Sequence, residues 1–256
     1  MRHPLLVITL KRTPERLETF YKINKHSLHD WEVEVLDGID GMQQQKLQHR
    51  SRWVSTSAKE NWSKGAIGSA LSHIKAWRRC IELNQNVVIA EDDAVLAKNL
   101  KRKLEELNLF KTATIKSNLV LLGWNLDSLL HAELTPGLRM ISLFEPIYPE
   151  LEQIRAIINS TQKRKLCNLN QCFGLPAYLI NPEIAQELLQ ICKPLRTEIN
   201  SMGRGIPEHI FVTLDGMLIN RYETINAQIT VPPLVLAKNS QEESLTKHQD
   251  VCNFSS

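Results

Sequence analysis

Residues 87–93, Val-Val-Ile-Ala-Glu-Asp-Asp, run four small or apolar side chains straight into three consecutive carboxylates. A buried strand that ends this way needs positive charge beside it, because an unpaired carboxylate is costly away from water. Strand alternation sends Glu91 and Asp93 to one side and Asp92 to the other. Two oxygen donors converging from one strand end suit a hard divalent cation such as Mn²⁺ or Mg²⁺. A plain charged turn after a core strand is the competing reading of the same residues.

The elements around this run must hold it in place. Pro4–Leu10 reads as a short apolar strand, and Thr13-Pro14 as the cap and first residue of a helix carrying Leu17, Phe20 and Ile23. Trp31–Leu36 alternates like a half-exposed strand and is broken by Asp37-Gly38-Ile39-Asp40-Gly41. Ile67, Ala70, Leu71, Ile74, Trp77 and Ile81 make one helical stripe over 67–81. The acidic strand follows, then a helix with Leu96, Leu100, Leu104 and Leu107, then a strand over Asn118–Leu122 closed by Gly123. This order predicts an α/β fold with a largely parallel central sheet. Residues 125–170 read as an insertion or mobile region. Order returns with a strand at Ala177–Ile180, a helix over 182–192 capped at Asn181-Pro182, a short helix from Pro207, and a strand with its exit over 226–236. One domain over 1–240, with a polar tail at 241–256, is the expected organisation.

Composition narrows the classes. Hydrophobic residues at 43% and charged residues at 23% of 256 are those of a soluble, packed protein. No apolar run reaches the length of a membrane span, and Leu5–Ile8 is too short for a signal peptide. The five cysteines, Cys80, Cys167, Cys172, Cys192 and Cys252, are odd in number and scattered, which favours free thiols in a reducing compartment. The net charge is only +3, with local basic groups at Arg78-Arg79, Lys101–Lys103 and Lys163–Lys165. These are solvated helix faces, or contacts to an anionic partner such as a phosphorylated ligand or membrane surface. Aromatics at 6%, not interleaved with the basic groups, disfavour nucleic acid.

In α/β sheets ligands sit at the carboxyl ends of strands. Those ends carry Lys11-Arg12, Asp37-Gly38, Glu91–Asp93 and Gly123-Trp124. Cations beside carboxylates fit a metal-bridged diphosphate. There is no GxxxxGK[ST] loop and no GxGxxG after the first strand, which excludes a P-loop NTPase and disfavours a dinucleotide oxidoreductase. Ser72-His73 is no serine-hydrolase pair, since adjacent helical residues diverge by about 100° and no GxSxG elbow exists.

Read in order, Ile8–Arg16, Asp37–Gly41, Gly65–Trp77 and Glu91–Asp93 resemble glycosyltransferase family 25, the bacterial lipooligosaccharide galactosyltransferases and their relatives. The resemblance is strong over about 4–125 and weaker over Phe173–Ser244. It implies a GT-A-type fold, a UDP-sugar donor (usually UDP-galactose), inversion at the anomeric carbon, and a glycolipid or oligosaccharide acceptor. It further implies a cytoplasmic enzyme, with peripheral contact to the inner face of the membrane. The acidic run becomes a DxD-like element, with Asp93 and Glu91 as metal ligands. Leu10, Lys11, Arg12, Arg16, Asp37, Gly38, Ser72, His73 and Asp92 become the donor-binding set. Gly174–Ile180 matches a family strand. Where the family shows Pro-x-Asp, this chain has Pro207-Glu208-His209, which puts Glu208 forward as base and His209 as third metal ligand, with spacing one residue different. A non-catalytic nucleotide-sugar-binding relative is the alternative. A metal-dependent phosphohydrolase, drawing on Asp37, Asp40 and Asp215, is a third reading.

Overall fold

The apolar run after Arg2 forms strand β1 (His3–Thr9) in the computed structural model, which describes residues 2–43, 51–110, 119–203 and 205–238. Helix α1 (Pro14–Asn24) starts on a proline, whose fixed φ suits a first helical residue. Thr13 precedes it but does not cap it; its hydroxyl donates instead to the Leu10 carbonyl. Strand β2 (Trp31–Asp37) leads through the 38–43 turn toward a short helix α2 (Thr56–Asn61) and the long α3 (Lys64–Leu83). Ser63 caps α3 by accepting from the Ala66 amide, and Asn84 ends it in the left-handed region at φ 49°. Strand β3 (Val87–Glu91) follows, then β4 (Ala94–Leu96), α4 (Leu100–Glu106) and β5 (Val120–Leu121). Leu96, expected on a helix, therefore belongs to a strand.

Residues 125–170 are not an irregular insertion. They build β6 (Leu129–Thr135), β7 (Leu138–Leu143), α5 (Leu151–Ile158) and β8 (Lys165–Cys172). The polarity that suggested a loop comes from β7, whose side chains are half-buried or exposed. Then come β9 (Ala177–Ile180), α6 (Pro182–Ile191) with Asn181 accepting from the Ile184 amide, β10 (Glu198–Asn200), β11 (His209–Phe211), α7 (Leu214–Leu218), β12 (Gln228–Val231) and β13 (Val235–Ala237). The short helix starts at Leu214 rather than Pro207, because residues 209–211 pair with 198–200 as a ribbon. The tail expected at 241–256, with Cys252, and the start of the strand expected at Asn118 lie outside the described residues.

The central sheet has nine strands in the order β2-β1-β3-β9-β5-β12-β8-β6-β7. The class is α/β, and β2, β1 and β3 are parallel, as expected for the first half. Beyond them the sheet is mixed: β9 runs antiparallel between β3 and β5, and β8, β6 and β7 continue antiparallel. Alternate residues feed two cores. Leu6, Ile89 and Tyr178 face Trp77 and Ile74 of α3. Leu5, Val7, Val88 and Ala90 face Phe20 of α1 and Leu100 of α4. Cys80, Cys167, Cys172 and Cys192 are buried free thiols. Among the described residues no helix is long and apolar enough to cross a membrane.

Two glycines let backbone cross backbone beside β1. A Cβ on Gly68 would lie 2.5 Å from the Ile39 carbonyl oxygen, and one on Gly41 would lie 1.7 Å from the Lys64 carbonyl oxygen. The 39–41 turn thus rests directly on the first turns of α3. Overpacking a tight contact costs about 1–3 kcal/mol, and about 1 kcal/mol moves Tm by roughly 2–4 °C in a chain of this size. Gly68→Ala is expected to lower the Tm by about 3–10 °C in a thermal melt, whereas Gly137→Ala, a left-handed position with nothing within 4 Å, should fall toward the small end of that range.

Candidate active site

A cleft of about 660 Å³ opens at the carboxyl ends of β1 and β3. Its floor is Glu91, Asp92 and Asp93; one wall is Thr9, Leu10, Arg12 and Arg16, another the 39–42 turn and the start of α3. The rest of the lining comes from Asn125, Asp127 and Ser128 after β5, from Phe173–Pro176, and from Thr213–Asp215.

Strand alternation works as far as Asp92. Glu91 shares the face of Ile89 and meets α3, while Asp92 meets α1. Asp92 is buried and fully engaged: the Thr9 hydroxyl donates to Oδ2 at 2.7 Å, and Arg16 donates to Oδ1 from Nε at 2.8 Å and lies at 2.6 Å through Nη2. After Asp92 the chain turns, so Asp93 swings to the Arg16 side, with Oδ2 3.5 Å from Nη2. Burial alone would lower the Arg16 pKa, but its bond to Asp92 and the charges of Asp92, Asp93 and Glu91 raise it overall. One guanidinium does not balance the cluster. Asp93 Oδ1 is buried with no hydrogen-bond partner among the described residues. Burial first, then the Glu91 charge, push the Asp93 carboxyl up to about 7, against the pull of Arg16.

His73 is more than a helix-edge residue. The Trp77 indole, a donor only, gives its N–H to the Tyr178 hydroxyl at 2.8 Å. The hydroxyl proton then points at His73 Nδ1, 2.8 Å away, leaving Nε2–H to donate to Glu91 Oε1 at 3.1 Å. A buried chain, Trp77–Tyr178–His73, thereby orients a carboxylate that is one-third exposed in the cleft.

Of the expected site residues, Leu10, Arg12, Arg16, His73, Glu91, Asp92 and Asp93 line this cleft. Lys11 and Asp37 pair with each other at 3.1 Å outside its lining. Ser72 and Gly38 serve the scaffold: Ser72 Oγ accepts from the Ile39 amide and donates to the Gly68 carbonyl, both at 2.7 Å, and Gly38 packs against Ser72 and Leu10. Glu208, just before β11, and His209, its first residue, are exposed and are not among the residues that line the cleft. In their place the cleft presents Asp40, Asp127 and Asp215. Asp40 binds Arg12 at 3.1 Å and accepts from the Met42 amide; Asp215 accepts from the Gly174 and Gly216 amides at 2.9 and 3.0 Å. Asp40 had a signal in its Asp-Gly-Ile-Asp-Gly turn. Asp215 entered only as a carboxylate open to a hydrolase, and Asp127 had no signal, since their places depend on the later strands.

The model of glycosyltransferase family 25 (LPS biosynthesis protein) matches residues 2–203. The chain belongs to glycosyltransferase family 25. No curated protein matches it. Two solved structures of the glycosyltransferase GlyE of Streptococcus pneumoniae TIGR4 are distantly similar. The apo form is 10% identical with a TM-score of 0.36, covering 89% of this chain and 44% of that one. The other is 11% identical with a TM-score of 0.40, covering 95% of this chain and 56% of that one. This chain thus spans about half the length of those structures.

Whether the cleft suits a divalent cation depends on the oxygen donors it offers. Among the described residues, no three His, Cys, Asp or Glu side chains form a metal-holding group. Mg²⁺ and Mn²⁺ in phosphate sites, however, use one or two carboxylates plus substrate oxygens and water. The unpartnered Asp93 Oδ1 and the cleft-facing Glu91 are such a set, so the residues fit a cation shared with a ligand. His209 plays no part in that set.

The Asp93 shift has a sign that a melt can read. Its folded pKa of about 7 lies above the ordinary 3.8, so the folded state holds the proton more tightly. That contribution to stability is complete below about pH 4 and is lost as pH rises through 7. In EDTA, Asp93→Asn is expected to raise Tm at pH 8 by about 3 °C or more, roughly the effect of 1 kcal/mol, and the gain should vanish near pH 4. Equal melts at pH 8 would show that Asp93 carries no electrostatic cost.

Proposed function

We propose that this glycosyltransferase is metal-dependent and inverting, moving a sugar, galactose in the first instance, from a UDP-sugar to a lipooligosaccharide or other cell-surface glycan. One observation carries the reading: Asp93, which has a buried carboxylate oxygen without a partner among the described residues, lines the same cleft as Arg16 and Arg12. Fixed cations beside a carboxylate that lacks one match a ligand bringing both a metal and phosphate oxygens. Residues 1–240 act in this reading as one unit, with a donor half over about 1–125 and an acceptor half over about 170–240. The enzyme works in the cytoplasm, at the inner face of the membrane.

Breaking the bond between the anomeric carbon and the β-phosphate oxygen leaves an electron pair on the diphosphate. Glu91 and Asp93 would hold Mn²⁺ or Mg²⁺, which supplies charge neutralisation as UDP departs. Arg16, locked by Asp92, and Arg12, held by Asp40, present guanidinium groups to the same oxygens without reorganising, which is what stabilises developing charge. The Trp77–Tyr178–His73 chain keeps Glu91 aimed into the cleft. An acceptor hydroxyl then enters from the Asn125–Ser128 and Phe173 side.

Incubation with Mn²⁺ and each of UDP-galactose, UDP-glucose, UDP-N-acetylglucosamine and UDP-N-acetylgalactosamine should release UDP, fastest with one donor and not in EDTA. UDP binding without release from any donor would favour a non-catalytic relative. Phosphate release from simple phosphoesters would favour a hydrolase.

A further inference from the structure

Inverting transfer needs a base for the acceptor hydroxyl, and the cleft has six carboxylates from which to draw it: Asp40, Glu91, Asp92, Asp93, Asp127 and Asp215. A base needs a lone pair free to take a proton and must reach the reacting oxygen. Asp92 is already engaged by Thr9 and Arg16, Asp40 by Arg12 and the Met42 amide, and Asp215 by two backbone amides. Glu91 accepts from His73, and Asp93 faces Arg16 within the acidic cluster at the cleft floor. Asp127 alone makes no hydrogen bond or ion pair among the described residues, although it is half-buried in the cleft wall.

Its backbone is nevertheless fixed. On one flank the Asn125 amide donates to the Phe173 carbonyl at 2.8 Å, and on the other the Phe144 amide donates to the Ser128 carbonyl at 2.8 Å. The turn is thus pinned at both ends while the side chain at its apex keeps its oxygens free. Asp127 lines the same cleft as Glu91–Asp93 and Arg16, but on the segment after β5 rather than on the β1–α1 segment that carries Arg16. In an inverting transfer the base acts on the face of the anomeric carbon away from the leaving group.

We propose that Asp127 is the general base of the transfer. This rests on the inverting reading above. The acceptor oxygen forms its bond to the anomeric carbon, the bond from that carbon to the β-phosphate oxygen breaks, and the electron pair leaves with UDP. The acceptor's proton passes to the Asp127 carboxylate and from there to solvent. Glu208, outside the cleft lining, takes no part.

The test uses the whole chain with Mn²⁺ and UDP-galactose, with or without purified lipooligosaccharide. Asp127→Asn should reduce kcat for UDP release by about 10²–10⁴, the usual contribution of a general base. Its Kd for UDP and its Tm should stay close to wild type, since no contact is lost. Azide separates a base from a merely structural residue, because it attacks without giving up a proton. With azide, Asp127→Asn should form glycosyl azide at close to the wild-type rate. Asp127→Asn retaining more than a tenth of wild-type kcat, or failing with azide as it fails without, overturns the assignment alone. A product of retained anomeric configuration overturns it together with the inverting reading. A wild-type protein that turns over no UDP-sugar overturns the transferase reading as well.

Discussion

Three adjacent carboxylates end one buried strand, and a single guanidinium holds them there. Arg16 reaches from α1 to Asp92 at the carboxyl end of β3, while Thr9 of β1 closes the other oxygen. Removing one partner of such a buried pair typically costs about 3–5 kcal/mol, because the other charge stays behind unpaired. The Arg16 side chain is 18% exposed and that of Asp92 only 7%, so solvent can do little to compensate. The contact joins β1, α1 and β3, and thereby sets where the cleft lies.

The compensation is deliberately partial in its effect. Asp92 is satisfied; Asp93 is not, and its proton affinity rises accordingly. Stability is given up at this spot, which is common where a site awaits charge from a ligand. The surrounding scaffold is correspondingly rigid. Glycine-to-backbone crossings dock the 39–41 turn on α3, Ser72 ties the same turn, and a relay of buried polar groups runs from Trp77 to Glu91. Membership of glycosyltransferase family 25 gives this arrangement its context, and the proposed diphosphate with its divalent cation would relieve the imbalance.

What could be read from the sequence follows from how local each signal is. Periodicity placed β1, β2 and α3, and Asn181-Pro182 placed the start of α6, because those patterns depend on neighbours in the chain. Of the strands after Asn125, β7 left little trace because it is an edge strand with little buried surface to force alternation. Asp93 turned toward Arg16 against strict alternation, since the strand ends at Glu91. Ser72 has the residue type of a ligand but faces a turn of its own chain. Glu208 followed a motif whose spacing had already drifted, and it is exposed before β11 and outside the cleft lining. Asp127 and Asp215 reach the cleft through contacts between segments far apart in sequence, such as Asn125 with Phe173 and Asp215 with Gly174, which no local pattern records.

In the proposed function the Glu91–Asp93 floor holds a cation-bridged diphosphate. Calorimetric titration of UDP into the wild type and into Asp93→Ala, each with Mn²⁺ and with EDTA, tests it most directly. Binding by the wild type only when Mn²⁺ is present, and its loss in a folded Asp93→Ala, is the result this account predicts. UDP binding that ignores EDTA, or that Asp93→Ala retains in full, would contradict it.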